Sequence, residues 1–402
     1  MQTKEELIKE LWPEDLLGYA EKLTDKEVAI LKNLQEQLEE RLRPLIYDCT
    51  EKAELPREEI LGVFRDCRIM DHPDLFEGRD QDWKPSEVYN VFLYLTLARF
   101  DPSVATFYTV HGGLGYNTIL MGGNDEQRER FGRPVQRFEA QTCFGLTEPD
   151  HGSDIASGLA STAERKGDKW IINGEKRWIG GAKTADFIPF FARDVETGKI
   201  MCFMIGKDSP GLEVENVEHK IALRIVNNGH ITCKDVQVDE KDRLEFIKGW
   251  KTVANIFVRT RLDVAHIALG TAAGSFIAAQ KLVTTREQFG RKIGSFQLVQ
   301  EKLARMQANV IAALGYSVRV AEIQETGKEV MLNSSLAKMH NALRMRETVA
   351  LGREICGGNG ITYDVDVARF FVDAEAIYTY EGTHEVNALI IGRELTNLAA
   401  FV

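Results

Sequence analysis

No stretch of this chain approaches the roughly eighteen consecutive apolar residues that a membrane-spanning helix needs. Basic residues are in deficit: 50 lysines and arginines face 61 aspartates and glutamates, for a formal net charge of −11. Nucleic acid and anionic membranes both demand a basic surface, so neither is an expected partner. An anionic ligand held by a few local arginines stays open. The eight histidines include no HxxxH or HxH pair, so no metal is expected. The six cysteines, Cys49, Cys67, Cys143, Cys202, Cys233 and Cys356, include no CxxC pair. They read as buried thiols rather than disulfides or metal ligands. The charged start Met1-Gln2-Thr3-Lys4-Glu5-Glu6 has no signal-peptide or transit-peptide character. The end, Ala399-Ala400-Phe401-Val402, is no peroxisomal address. A cytoplasmic location is the expectation. Internal repeats and low-complexity segments are missing as well.

At 402 residues the chain can bury a large core. Its periodicity divides into three zones. Residues 1–140 read as helices, with apolar residues at helical spacing in Glu27 to Leu34 and Val88 to Leu95. The prolines of this zone fall outside those runs, as helix punctuation should. Residues 141–245 switch to short runs bounded by Gly, Asn and Asp. Trp170-Ile171-Ile172 leads into Asn173-Gly174, a hairpin dipeptide, and then Lys176 to Ile179. A compact antiparallel β domain, barrel or sandwich, is expected. Helical patterns return over 246–402, with an Ala- and Gly-rich stretch from Ala265 to Leu282 that suits close helix packing. The fold class is α+β, and the last zone fits a four-helix bundle.

The run Tyr378-Thr379-Tyr380-Glu381-Gly382-Thr383-His384-Glu385 carries the chemistry. It sets one carboxylate, Glu381, directly before a glycine, where a flat ligand can approach the backbone closely. Among Tyr378, Tyr380 and the apolar Ala388 to Ile391, that carboxylate is partly desolvated. Desolvation raises its pKa toward that of a working general base. The plain alternative is a solvated glutamate in a tight turn.

Helix–β–helix order with this Glu-Gly-Thr near the end resembles the acyl-CoA dehydrogenase family of flavoproteins, over essentially the whole chain. Four further segments carry the likeness. Phe144-Gly145-Leu146-Thr147-Glu148-Pro149-Asp150-His151-Gly152-Ser153-Asp154 resembles the family's flavin loop. A threonine hydroxyl and successive backbone N–H groups at a strand end suit a flavin's pyrimidine edge and pyrophosphate. Lys176-Arg177-Trp178-Ile179-Gly180 resembles the second flavin strand, with Gly180 where most relatives carry threonine. Arg286-Glu287-Gln288-Phe289-Gly290, with Gln297, resembles the clamp on the adenine diphosphate. Glu354-Ile355-Cys356-Gly357-Gly358-Asn359-Gly360 resembles the segment that reaches a neighbouring subunit's diphosphate.

The resemblance implies FAD as cofactor. It implies cofactor contacts at Phe144, Leu146, Thr147, Gly152, Ser153, Trp178, Ile179, Gly180, Arg286, Phe289, Gln297, Glu354, Gly357, Gly358, Thr383 and Glu385. Glu381 is the implied base, with Ser153, Arg261 and Gly382 at the acyl-CoA. Some relatives carry their base on an earlier helix, where this chain has Thr260. An electron-transfer flavoprotein as acceptor and a homotetramer built as a dimer of dimers are implied too. The best matches lie in the glutaryl-CoA dehydrogenase and plant short-chain acyl-CoA oxidase branch. The glutaryl branch needs an arginine and a glutamate at positions held here by Ala105 and Ala98. A free carboxylate buried there without a cation is costly, so short or compact neutral acyl chains are expected. Dehydrogenase is the first reading; an oxidase, or a decarboxylating dehydrogenase, is the alternative. A non-catalytic or nucleic-acid-binding relative is disfavoured by the acidity and by Glu381.

Overall fold

The computed structural model describes residues 3–328 and 331–400. Met1, Gln2, Phe401 and Val402, which belong to the targeting readings, lie outside the described residues.

The N-terminal region is helical because its sequence supplies both starts and buried faces. Thr3 and Thr24 open the helices Lys4–Leu11 and Asp25–Gln37 with capping boxes closed by Glu6 and Glu27. Asp101 caps Pro102–Tyr108, accepting from the amides of Ser103 and Val104. The Glu87–Phe100 helix is apolar nearly all round, and every residue from Val91 to Ala98 is buried.

Six strands make one sheet: β1 (Thr162–Lys166), β2 (Lys169–Gly180), β3 (Phe187–Asp194), β4 (Ile200–Gly206), β5 (Leu212–Asn216) and β6 (Asn228–Asp239). Their order is β4-β3-β1-β2-β6-β5. All pairings are antiparallel except β1 with β3. The hairpin expected at Asn173-Gly174 does not form. β2 runs straight through both residues, with a bulge between Ile172 and Gly174. The turn falls earlier, between Lys166 and Lys169, where Gly167 takes a φ of 68°. Asn173 instead donates across the sheet to Asp235 at 3.0 Å. Gly174 leaves space for Ser161, whose Oγ would lie 2.3 Å from a Cβ there.

The C-terminal region packs the helices Trp250–Thr285, Gln297–Glu325, Met331–Ile355 and Val367–Thr379 as a bundle, followed by His384–Thr396. The 36-residue helix Trp250–Thr285 is long and apolar enough to cross a membrane, which a search for unbroken apolar runs does not show. Its apolar window is 83% buried, so it is the core helix of the molecule. Its small residues allow close crossings, as the composition suggested. A Cβ on Gly270 would come within 2.6 Å of Ala98, and one on Gly274 within 2.3 Å of Phe370.

Candidate active site

Glu381 sits in the turn between Val367–Thr379 and His384–Thr396 with a φ of 57°, followed by Gly382 at 83°. A non-glycine residue in the left-handed region stores strain that the surroundings must hold in place. Three contacts do so. Thr383 caps the following helix, accepting from Val386 N–H at 3.2 Å. Lys338, fully buried on Met331–Ile355, donates to the carbonyls of Tyr378 and Gly382, both at 2.8 Å. Asn387 also donates to Gly382 O, at 2.9 Å. Two helices therefore clamp the turn on either side of the carboxylate.

The Glu381 carboxylate accepts a hydrogen bond from the Thr260 hydroxyl on the long core helix. Burial raises its pKa above the ordinary carboxylate value, although the Thr260 hydrogen bond and the charges of Arg261 and Lys338 pull the other way. Arg261 lies beside the turn: a Cβ on Gly382 would sit 3.5 Å from its Nη2. The Arg261 side chain is buried, and its Nε has no hydrogen-bond partner. Burial also pushes Lys338 down to about 8. Burial lowers the Arg261 pKa as well, and a raised carboxylate beside two depressed cations makes Glu381 a candidate general base. Thr260, read from the sequence only as the alternative base position, proves to be a hydrogen-bond partner of Glu381. Nothing in the local sequence marks Lys338.

The flavin-loop residues divide into two groups. Phe144, Leu146 and Ile179 bury their side chains in the cores, which leaves only their backbone for a ligand. Gly152 and Ser153 are exposed, and Thr147 is half-buried. Trp178 stands 53% exposed with a φ of 68°. The loop is tied to β2 by a buried ion pair that sequence reading missed. Lys176 Nζ lies 2.7 Å from Glu148, and Arg177 N–H donates to Thr147 O at 2.9 Å. Burial pushes the Glu148 pKa up, but Lys176, Ser161 and the Ala160 N–H outweigh it and hold it below its ordinary value. Even spacing from Trp170 and Ile172 puts Lys176 on the buried face of β2, so the pattern did carry a signal for it.

Arg286, Phe289, Gly357 and Gly358 line one cleft of about 400 Å³. Phe289 lies in the turn of a hairpin, β7 (Glu287–Gln288) with β8 (Arg291–Lys292), 93% exposed and with a φ of 54°. Open space surrounds the Cβ positions of Gly357 and Gly358. Gln297 opens the next helix, exposed. Glu354 is exposed and pairs with Lys302 at 3.1 Å, and Glu385 is exposed on the first turn after Thr383. None of Thr147, Ser153, Trp178 and Gly180 lines that cleft, so one chain presents two separate patches. Uncovered aromatics at strained φ, with bare glycines and an exposed arginine, suit a flat ring and a diphosphate. No group of side chains able to hold a metal occurs among the described residues.

A carboxylate with a raised pKa in a clamped turn, on a chain whose surface also carries patches that suit a flat ring and a diphosphate, fits a flavin-dependent oxidoreductase. Comparison with known proteins agrees. The chain matches the acyl-CoA dehydrogenase N-terminal, middle and C-terminal domains over residues 24–139, 143–236 and 248–396. It is 30% identical over 377 residues to the 3-(aryl)acrylate reductase of Clostridium sporogenes, covering 92% of this chain and 99% of that one. It is 30% identical over 298 residues to the caffeyl-CoA reductase-Etf complex subunit CarC of Acetobacterium woodii, covering 73% and 78%. A glutaryl-CoA dehydrogenase of Mycobacterium smegmatis in complex with FADH2 superposes with a TM-score of 0.90 at 27% identity, covering 97% and 99%. The chain belongs to the acyl-CoA dehydrogenase family, and its cofactor is FAD.

Proposed function

We propose that the protein dehydrogenates a compact acyl-CoA thioester between Cα and Cβ, with Glu381 as the base that takes the α-proton. The observation that carries this reading is the clamped turn at Glu381, with its raised carboxylate pKa. A thioester bound with its Cα against Glu381 would meet the backbone N–H of that residue at the carbonyl oxygen. Enolate charge developing there would be stabilised by such a donor. Bound FAD supplies the acceptor for the β-hydrogen, which leaves as hydride. Arg261, buried with a free Nε, fixes positive charge beside the turn. Ala98 and Ala105 are both fully buried, and Ala98 lies at the tight crossing with Gly270. That crossing has no room for a glutamate, which weighs against glutaryl-CoA as substrate.

Two patches on one chain favour a shared cofactor site, in which a second copy brings its Arg286 and Gly357-Gly358 cleft to the loop and Trp178 of the first. A dimer of dimers is the assembly we propose. An electron-transfer flavoprotein is the proposed electron partner; one relative is itself a subunit of an Etf complex by its name. Two relatives are named as reductases, so the reaction is to be measured in both directions. The test is anaerobic mixing of the FAD-bound protein with a panel of acyl-CoAs, for wild type and Glu381→Gln. The variant should keep its flavin and lose reduction by roughly 10² to 10⁴. Bleaching at the wild-type rate in the variant rejects Glu381 as base.

A further inference from the structure

One turn beyond Thr260 on the core helix comes Asp263, on the same face. It lines a cavity of about 40 Å³ together with Tyr94, Tyr108, Gly113 and Asn117. By volume that is room for about three water-sized groups. The lining is unusually polar for an acyl pocket. A Cβ on Gly113 would lie 2.7 Å from Thr109 Oγ1, 2.8 Å from Asp263 Oδ2 and 3.0 Å from Tyr94 Oη. Three oxygens thus converge beside one glycine. The Tyr94 hydroxyl donates to Thr109 at 3.1 Å and lies beside the Asp263 carboxyl. Asn117 donates to Gly113 O at 2.6 Å, but its Oδ1 is buried without a partner. Glu87, at the cavity wall, is already paired with Arg259 at 3.0 Å. Lys84 and Arg259 line the same cavity, and the Lys84 charge pulls the Asp263 pKa down.

We propose that this cavity receives the far end of the acyl chain and selects a hydroxyl-bearing group, with Asp263 and Asn117 as its hydrogen-bond partners. The inference rests on the acyl-CoA reading above and names the substrate class within it. Burial and the nearby Glu87 raise the Asp263 pKa well above the ordinary value, against the pull of Lys84 and Tyr94, which favours the protonated carboxyl that can both donate and accept. A methyl group in its place leaves both polar groups unsatisfied. A site built for a hydroxyl discriminates strongly against the analogue lacking it. The chemistry at Cα and Cβ is unchanged: one proton goes to Glu381, one hydride to FAD, and the distal hydroxyl stays on the 2-enoyl product.

The test compares 4-hydroxybutyryl-CoA with its methyl isostere valeryl-CoA and with glutaryl-CoA. Two readouts are used: kcat/KM on wild type, and calorimetric Kd on Glu381→Gln, whose turnover is slow on the time of the titration. The hydroxylated chain should be preferred about tenfold or more in both, the ratio that about 1.4 kcal/mol gives. Asp263→Leu should reverse the preference, and Asp263→Asn, which still donates and accepts, should retain it. Valeryl-CoA or glutaryl-CoA preferred by wild type overturns the inference, as does an unchanged preference in folded Asp263→Leu. Should Asp263→Leu fail to fold, loss of the preference in Asn117→Leu decides in its place. Binding of none of the thioesters, by contrast, would count against the acyl-CoA reading itself.

Discussion

Lys338→Met separates a lysine that serves the base from one that serves only the fold. The wild-type ammonium donates to the two carbonyls that bracket Glu381. Burial pushes its pKa to about 8 from 10.5. Holding the charge below that pH costs about 3 kcal/mol, at about 1.4 kcal/mol per unit. The two charge-assisted bonds contribute about 1.5–3 kcal/mol each in return. Methionine loses both the cost and the bonds, so stability should change by no more than about 3 kcal/mol, a melting shift under about 10 °C. The pH dependence has a definite sign. The unfolded lysine keeps its proton to higher pH than the folded one, so wild-type stability rises as pH climbs from about 8 toward 10.5. The variant should lack that rise. Activity should respond more sharply. Losing the hold on a strained turn is worth about one charge-assisted bond, or roughly ten- to a hundredfold in flavin reduction. Lys338 also lowers the Glu381 pKa, so its removal should move the acid limb of the pH–rate profile to higher pH. Anaerobic stopped-flow reduction across the acid-to-neutral range, with calorimetric melting alongside, reads all of these. Lys338→Arg should keep the limb and part of the rate. A folded Lys338→Met with wild-type rate and limb refutes the reasoning.

Other substitutions address the cofactor patches. Lys176→Met strands Glu148 as a buried charge, at about 3–5 kcal/mol, and should lower the flavin-to-protein absorbance ratio; adding Glu148→Gln should restore much of it. Gly358→Val places bulk in the open cleft and should weaken FAD retention, while light scattering that finds a flavin-saturated monomer rejects the shared site. Gly180→Thr would set its Cβ 3.0 Å from Val110 Cγ2, so it is to be made together with Val110→Ala. The double variant should reduce faster and reoxidise more slowly in air than Val110→Ala alone. Equal rates would mean that Gly180 only makes room for Val110, and the oxidase alternative would lose its sequence support.

The order of helical, β and helical zones was legible because it depends on periodicity, which each segment carries by itself. The glycines at crossings were legible for the same reason: small residues at helical spacing announce close packing, and Gly270 meets Ala98 as expected. Asn173-Gly174 misled because a dipeptide signals a turn only where the chain needs one. Here the turn was already made at Gly167, and the glycine instead admitted Ser161. In the site, Glu381 was singled out from its own run and Thr260 and Arg261 from the resemblance, whereas Lys338 and Asp263 were not. Glu381 stands in a recognisable run. Thr260, Lys338 and Asp263 reach it, or its surroundings, from 121, 43 and 118 positions away along the chain, through helices whose local patterns look like ordinary core. Their importance comes from burial, which turns a lysine and an aspartate that water would leave unremarked into groups with shifted pKa values. Burial is a property of the assembled bundle. The sequence reading therefore singled out Glu381, while the groups that surround it and the polar cavity proposed to select a substrate emerge only from the packing of the Trp250–Thr285 helix against its neighbours.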